Sequence, residues 1–160
     1  MTCDVSGAMR IAELNVGHAA ACEAIGRALP GWFGIEEGLE ELRLAADSGP
    51  GFVALDASDE VTGFVTVKRH FPESWDISWM AVHPNHHRRG IGRGLIDALI
   101  RDARAHGARL LQVKTLADRH PSPEYAQTRA FYRSLGFIRL EVFADLWGPA
   151  NPCLVLVRPL

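Results

Sequence analysis

The sequence predicts a mixed α/β (α+β) fold, with a mostly antiparallel central sheet of about six to seven strands flanked by helices and one βαβ unit within it. Three observations carry that expectation. Phe52 to Leu55, Val61 to Arg69 and Asp76 to Val82 are β-rich runs separated by short turn segments, most simply three successive antiparallel strands. A glycine-rich turn, His87-Arg88-Arg89-Gly90-Ile91-Gly92-Arg93-Gly94, then opens a helix. Leu110 to Leu116 follows as another strand, which the crossover rule makes parallel to the strand before the helix.

Met9 to Leu14 alternates as a strand does, and the Ala-rich segment Gly17 to Leu29 has helical spacing until Pro30-Gly31 stops it. Ile35 to Ala46 predicts a second helix, with Ile35, Leu39, Leu42 and Ala46 on one face and Glu36, Glu37, Glu40 and Glu41 largely toward water. Ala57-Ser58-Asp59-Glu60 closes the first hairpin, and Pro72-Glu73-Ser74 turns the chain into the strand from Asp76. Between Gly92 and His106, Leu95, Ile96, Leu99, Ile100 and Ala103 form an apolar stripe that packs on a sheet, and Gly107 ends it. A short helix from Glu124 to Leu135 stops at Gly136, and Ile138 to Phe143 and Leu154 to Val157 supply two late strands.

The 160 residues are most simply one domain, residues 9–160, behind a flexible N-terminus of residues 1–8. A hydrophobic fraction of 48% with 22% charged residues is ordinary for a soluble chain, and no apolar run is long enough to span a bilayer. Residues 1–8 lack the basic start and apolar core of a secretory signal, so the expected location is the cytoplasm. Cys3, Cys22 and Cys153 are odd in number and widely spaced, and read as free thiols. A net charge of -2 gives no global field for nucleic acid, although the arginines at the glycine turn form a local cluster.

That turn is suited to phosphate. Its glycines let backbone approach a ligand, and the N–H groups of Arg88, Arg89, Gly90, Gly92 and Arg93 lie at the positive end of a helix, where a diphosphate needs several donors in one concave patch. A dinucleotide fingerprint would require glycine at Leu95, and a Walker pattern would require Lys followed by Ser or Thr; neither is present. Read alone, the turn is equally a tight connection.

From Asp76 to Phe137 three ordered signatures resemble the GNAT superfamily of acyl-CoA-dependent N-acyltransferases. Met80-Ala81-Val82-His83-Pro84 looks like the family's strand end beside the pantetheine arm, the glycine turn comes next, and Ala130-Phe131-Tyr132-Arg133-Ser134-Leu135-Gly136-Phe137 resembles the helix bearing the family's tyrosine. The resemblance implies a GNAT-like fold whose βαβ unit binds acetyl-CoA as acyl donor, with Met80, Ala81, Val82, Arg88, Arg89, Gly90, Gly92, Arg93 and Gly94 at the cofactor and its pyrophosphate on the turn. Two positions depart from the pattern. His87 stands where relatives commonly have Gln or Arg, and Tyr125 where many have Asn.

Moving an acyl group from a thioester to an amine requires a base for the amine and a proton donor for the departing sulfur. Tyr132 resembles the family tyrosine that faces the sulfur, and a neutral phenol is protonated near pH 7. The other reading is a packing residue between Phe131 and Leu135. Asp76 stands where some relatives carry a carboxylate base, and it is equally readable as a solvated carboxylate beside Glu73-Ser74. Glu73, His70 and His83 are weaker substitutes, histidine being suited on pKa. His83, His86 and His87 lack the cysteine or carboxylate partners of a zinc site, so no metal is expected. Trp32 and Phe33, in the loop between the first two helices where such proteins commonly wall the acceptor pocket, and Trp75 are candidate substrate contacts, although aromatics there more often fill core.

The first functional reading is an N-acetyltransferase moving an acetyl group from acetyl-CoA to a primary amine by direct attack in a ternary complex. The alternative is a catalytically silent acyl-CoA-binding or sensing module. The acceptor is expected to be a small molecule or a peptide amine, with neither nucleic acid nor membrane as partner. Late strands of such folds can pair between subunits, which leaves a homodimer open.

Overall fold

The structure, a computed structural model, describes residues 9–160; the expected flexible segment 1–8 and Cys3 lie outside the described residues. The elements run β1 (Arg10–Glu13), α1 (Ala19–Arg27), α2 (Glu36–Ser48), β2 (Gly51–Leu55), β3 (Val61–Phe71), β4 (Ser74–Val82), α3 (Ile91–Ala105), β5 (Leu110–Leu116), α4 (Pro123–Ser134), β6 (Ile138–Phe143) and β7 (Cys153–Pro159). Each expected element is present, and the differences lie at the ends. β3 and β4 each extend by two residues, because Pro72 and Glu73 alone make the turn. Before α1 a 3-10 turn, Val16–His18, is capped by the Asn15 side chain, which accepts from Gly17, while the His18 ring accepts from the Asn15 N–H.

Seven strands are hydrogen-bonded in the order β1-β2-β3-β4-β5-β7-β6. β1 with β2, β2 with β3, β5 with β7 and β6 with β7 are antiparallel. β4 and β5 are parallel, as the crossover rule requires, in a ladder from Ser74↔Leu110 to Ile77↔Val113. That mixed sheet with helices agrees with the fold expected from the sequence.

The described chain forms two compact units, one holding the chain up to Thr66 with Trp79–Leu99 and the other Val67–Ser78 with Ile100–Leu160. Each is assembled from two separate segments, so neither is a stretch of chain that could be cut away. In the first, the apolar faces of α1 and α2 enclose Ala19, Cys22, Ile25, Leu42 and Ala46 with Val53 and Phe64 of the sheet. In the second, α4 lies against β5, and Leu111, Val113, Leu154, Leu156, Leu135 and Phe137 are buried. Arg158 of β7 donates to the Leu135 carbonyl at 2.8 Å, satisfying a backbone acceptor left over where α4 ends.

Trp75 belongs to this packing. It is 2% exposed, with the Arg69 guanidinium 4.3 Å from its ring centroid and the His106 ring beside it. The expectation that it contacts substrate is therefore corrected: its indole is enclosed by neighbouring side chains of its own unit.

Gly51 tests how tightly β2 meets β3. A Cβ there would overlap the Val65 carbonyl oxygen, and that oxygen belongs to the sheet backbone and has no rotamer to escape into. Gly51→Ala is expected to lower unfolding stability by at least about 2 kcal/mol, read as a lower urea midpoint at unchanged slope.

Candidate active site

The glycine turn connects β4 to α3. His83 opens it, its ring nitrogen accepting from the Asn85 N–H at 3.1 Å. Arg88 and Gly90 both have positive φ, 63° and 76°. At Gly90 glycine supplies that conformation without strain, whereas Arg88 holds it against its own Cβ. The Gly90 carbonyl accepts from the Gly94 N–H at 3.0 Å, which makes Gly90 the residue before the first helical turn. The N–H groups of Ile91, Gly92 and Arg93 therefore precede the first carbonyl-bonded position of α3, and Arg88, Arg89 and Arg93 are exposed around them.

Gly94 differs from the other glycines. Its N–H is spent inside the helix, and a Cβ there would come within 3.0 Å of the Met9 side chain. Met9 stands just before the first strand, and Ile11 within it lies at ordinary contact distance from the same position. His87 is held by Nε2 against the Val82 carbonyl at 2.7 Å, and its ring meets the edge of Trp32. Trp32 and Phe33 are half-buried against the core of their unit, with Phe33 beside Trp79. Met80 and Val82 are half-buried and Ala81 is buried. The loop between α1 and α2 thus reaches the glycine turn through Trp32, a contact that neither segment's sequence reveals.

The second unit holds the titratable cluster. Asp76 is 7% exposed, which removes the reading of a solvated carboxylate. Its Oδ2 accepts from Lys114 Nζ at 3.0 Å and lies 3.2 Å from His70 Nε2. Its Oδ1 is buried and has no hydrogen-bond partner among the described residues. Tyr132 is buried as well, with its ring edge-on to Phe131 and Phe137. Burial first, and then the negative charge of Asp76, push its phenol well above the ordinary value, so it keeps its proton across the physiological range. The packing reading of Tyr132 agrees with this burial.

Cys153 is sealed nearby. Burial raises its thiol, with Lys114 acting to lower it and Asp76 to raise it. Cys22 is buried in the other unit and its thiol is pushed up to about 12 by burial. Both are free thiols, as expected.

Sequence reading missed two residues. Lys114 reads as the polar face of an alternating strand, and only the β4–β5 register brings it to Asp76. Arg129 donates to the Leu116 carbonyl at 2.8 Å and pairs with Asp118 at 3.1 Å, tying α4 to the end of β5. Glu73 serves through its backbone, its carbonyl accepting from Arg109 and Leu110. His86 lies beside Arg89, and among the described residues no group of three His, Cys, Asp or Glu side chains is placed to hold a metal.

A glycine turn at a helix start, between two strands that pair in parallel, is the arrangement that links this fold to proteins already known. A GNAT acetyltransferase domain model matches residues 47–139, and the chain belongs to that family. Mycothiol acetyltransferase of Corynebacterium glutamicum (strain R) is 34% identical over 79 residues, 49% of this chain and 25% of that protein's length, so the match reaches only a quarter of that relative. Among solved structures, a GNAT-family protein from Desulfovibrio desulfuricans superposes with TM-score 0.82 at 20% identity, covering 95% of this chain and 99% of its own. An aminoglycoside 6'-N-acetyltransferase complexed with coenzyme A superposes with TM-score 0.74 at 16% identity, covering 94% and 96%. At these identities the superpositions speak for the fold.

The phenols give a pH test. Burial raises both Tyr125 and Tyr132, the chain's 2 tyrosines, so the folded protein is expected to show no tyrosinate absorbance at 295 nm as pH passes about 10, the ordinary phenol value. The sign follows from linkage: with the folded value above the unfolded one, their contribution is intact below about pH 10 and is lost as pH rises toward the folded value. Tyrosinate absorbance rising before the loss of far-ultraviolet ellipticity would contradict this.

Proposed function

We propose that the protein transfers the acetyl group of acetyl-CoA to a primary amine by direct attack in a ternary complex. The observation that carries the reading is the pairing of a phenol kept protonated by burial, Tyr132, with a buried carboxylate, Asp76, in one unit. Membership of the GNAT family supports the acyl donor.

The residues of the glycine turn fit the donor's pyrophosphate. Positive φ at Gly90 opens the backbone, the first-turn N–H groups of α3 supply donors, and the exposed Arg88, Arg89 and Arg93 supply charge toward the remaining phosphate. Met80, Ala81 and Val82 would flank the pantetheine arm. When bound, the donor supplies an activated thioester carbonyl. Asp76 receives a proton from the amine, directly or across water. Tyr132 donates a hydrogen bond to the departing sulfur. A free tyrosinate beside Asp76 is opposed by burial and by charge, so the phenol acts chiefly as a donor that stabilises negative charge as it develops. Trp32 and Phe33 flank the acceptor, a small molecule or a peptide amine.

Tyr132→Phe is expected to lower kcat about 100-fold while leaving the KM for acetyl-CoA within about twofold, followed as thiol release over a panel of primary amines. Saturable acetyl-CoA binding without release on any amine would instead identify a silent acyl-CoA-binding module.

The protein is further proposed to pair with a second copy over β6. Ile138, Leu140, Val142, Phe143, Leu146 and Trp147 are all exposed, six large apolar side chains on and just after a strand that ends the sheet order. A register shift between Arg139 and Glu141 interrupts the β6–β7 ladder at this edge, which favours packing through side chains over extension of the sheet. Leu140→Asp is expected to halve the mass measured by light scattering; a wild-type monomer at micromolar concentration overturns the pairing.

A further inference from the structure

Resting on the acetyl-transfer reading above, we propose that His70 is the exit by which the amine's proton, once received at Asp76, leaves for solvent. Asp76 is well placed to collect a proton and badly placed to release one. Its side chain is 9% exposed, and its Oδ1 is buried without a partner among the described residues, so bulk water does not meet the carboxylate directly. A base that cannot discharge stops after one turnover.

Two side chains touch Oδ2, and their chemistry separates them. Lys114 Nζ lies at 3.0 Å, but an ammonium has no lone pair with which to take a proton. It holds the carboxylate in place. His70 Nε2 lies at 3.2 Å, and a neutral imidazole can accept at that nitrogen. Its side chain is 41% exposed, against 30% for Lys114 and 9% for Asp76, so the ring touches the buried carboxylate at one edge and water at the other. The neighbouring Arg69 is engaged elsewhere, over the Trp75 ring and with Asp102, and does not occupy this position.

The protons balance. An ammonium acceptor that becomes an amide loses two. One goes to the departing sulfur, giving the thiol. For the other, an N–H bond of the acceptor breaks and an O–H bond forms at Asp76; with His70 as the Nδ1–H tautomer, that O–H breaks as an N–H forms at Nε2, the imidazolium gives its Nδ1 proton to water, and proton exchange through water restores the Nδ1–H tautomer before the next turnover. Asp76 returns to the carboxylate, still bonded to Lys114, and no further reactant is needed.

His70 acts through Asp76, so the decisive readout is one that a packing role would not move. With saturating acetyl-CoA and an amine that wild type turns over, His70→Ala is expected to lower kcat about tenfold or more, to leave both KM values near wild type, and to recover when imidazole is added to the buffer. Asp76→Asn is expected to lose activity that imidazole does not restore. His70→Ala turning over at the wild-type rate, or a loss that imidazole leaves unchanged, overturns the exit. A wild type silent on every amine overturns the acetyl-transfer reading and this one with it, which separates the two failures.

Discussion

A carboxylate removed from water must be answered by charge from the elements around it, and in the second unit that requirement is set by Asp76 on β4. The charge comes from β5 through Lys114, and β3 adds a ring nitrogen of His70. Both depend on register. Asp76 stands opposite Gln112 in the parallel ladder, and Lys114 is two residues further on, on the same face and about 7 Å along the strand, a distance that its four-carbon stem spans. A slip of one residue would turn that ammonium to the other face and leave the carboxylate buried without its ion pair, which is far costlier than never having buried it. The short ladder and the ion pair therefore enforce one another, and Tyr132, on the helix packed against β5, is shaped by the same negative charge.

The two halves of the proposed chemistry are carried by one strand. β4 presents Asp76 within one compact unit and Met80, Ala81 and Val82 within the other, just before the glycine turn.

The architecture was legible because it rests on periodicity. β5 is bounded as its β-branched and apolar alternation suggests, its direction follows from handedness, and the ends of α3 and α4 follow from Gly107 and Gly136. Side-chain partnerships were not legible, since they are set by register and by elements far apart in sequence. Lys114 carries no local signal of its salt bridge 38 residues away, and Arg129 looks like any helical arginine until α4 lies against the end of β5. Trp75 reads equally as a substrate contact or a core ring because sequence does not tell which strand face Arg69 covers. Gly94 looks like part of a phosphate cradle because its spacing matches Gly90 and Gly92, while the Met9 side chain that lies against it comes from the other end of the unit.

Cys22 and Cys153 are both buried, and burial raises both thiols and favours the protonated sulfur. Thiol–disulfide exchange proceeds through the thiolate and needs access to it, so neither residue can form a mixed disulfide with a free thiol in solution while the fold is closed. Coenzyme A liberated beside this protein would therefore find no trap at either position. An alkylating or disulfide reagent would mark these two sulfurs only in molecules that have opened, making them internal reporters of the fold's integrity.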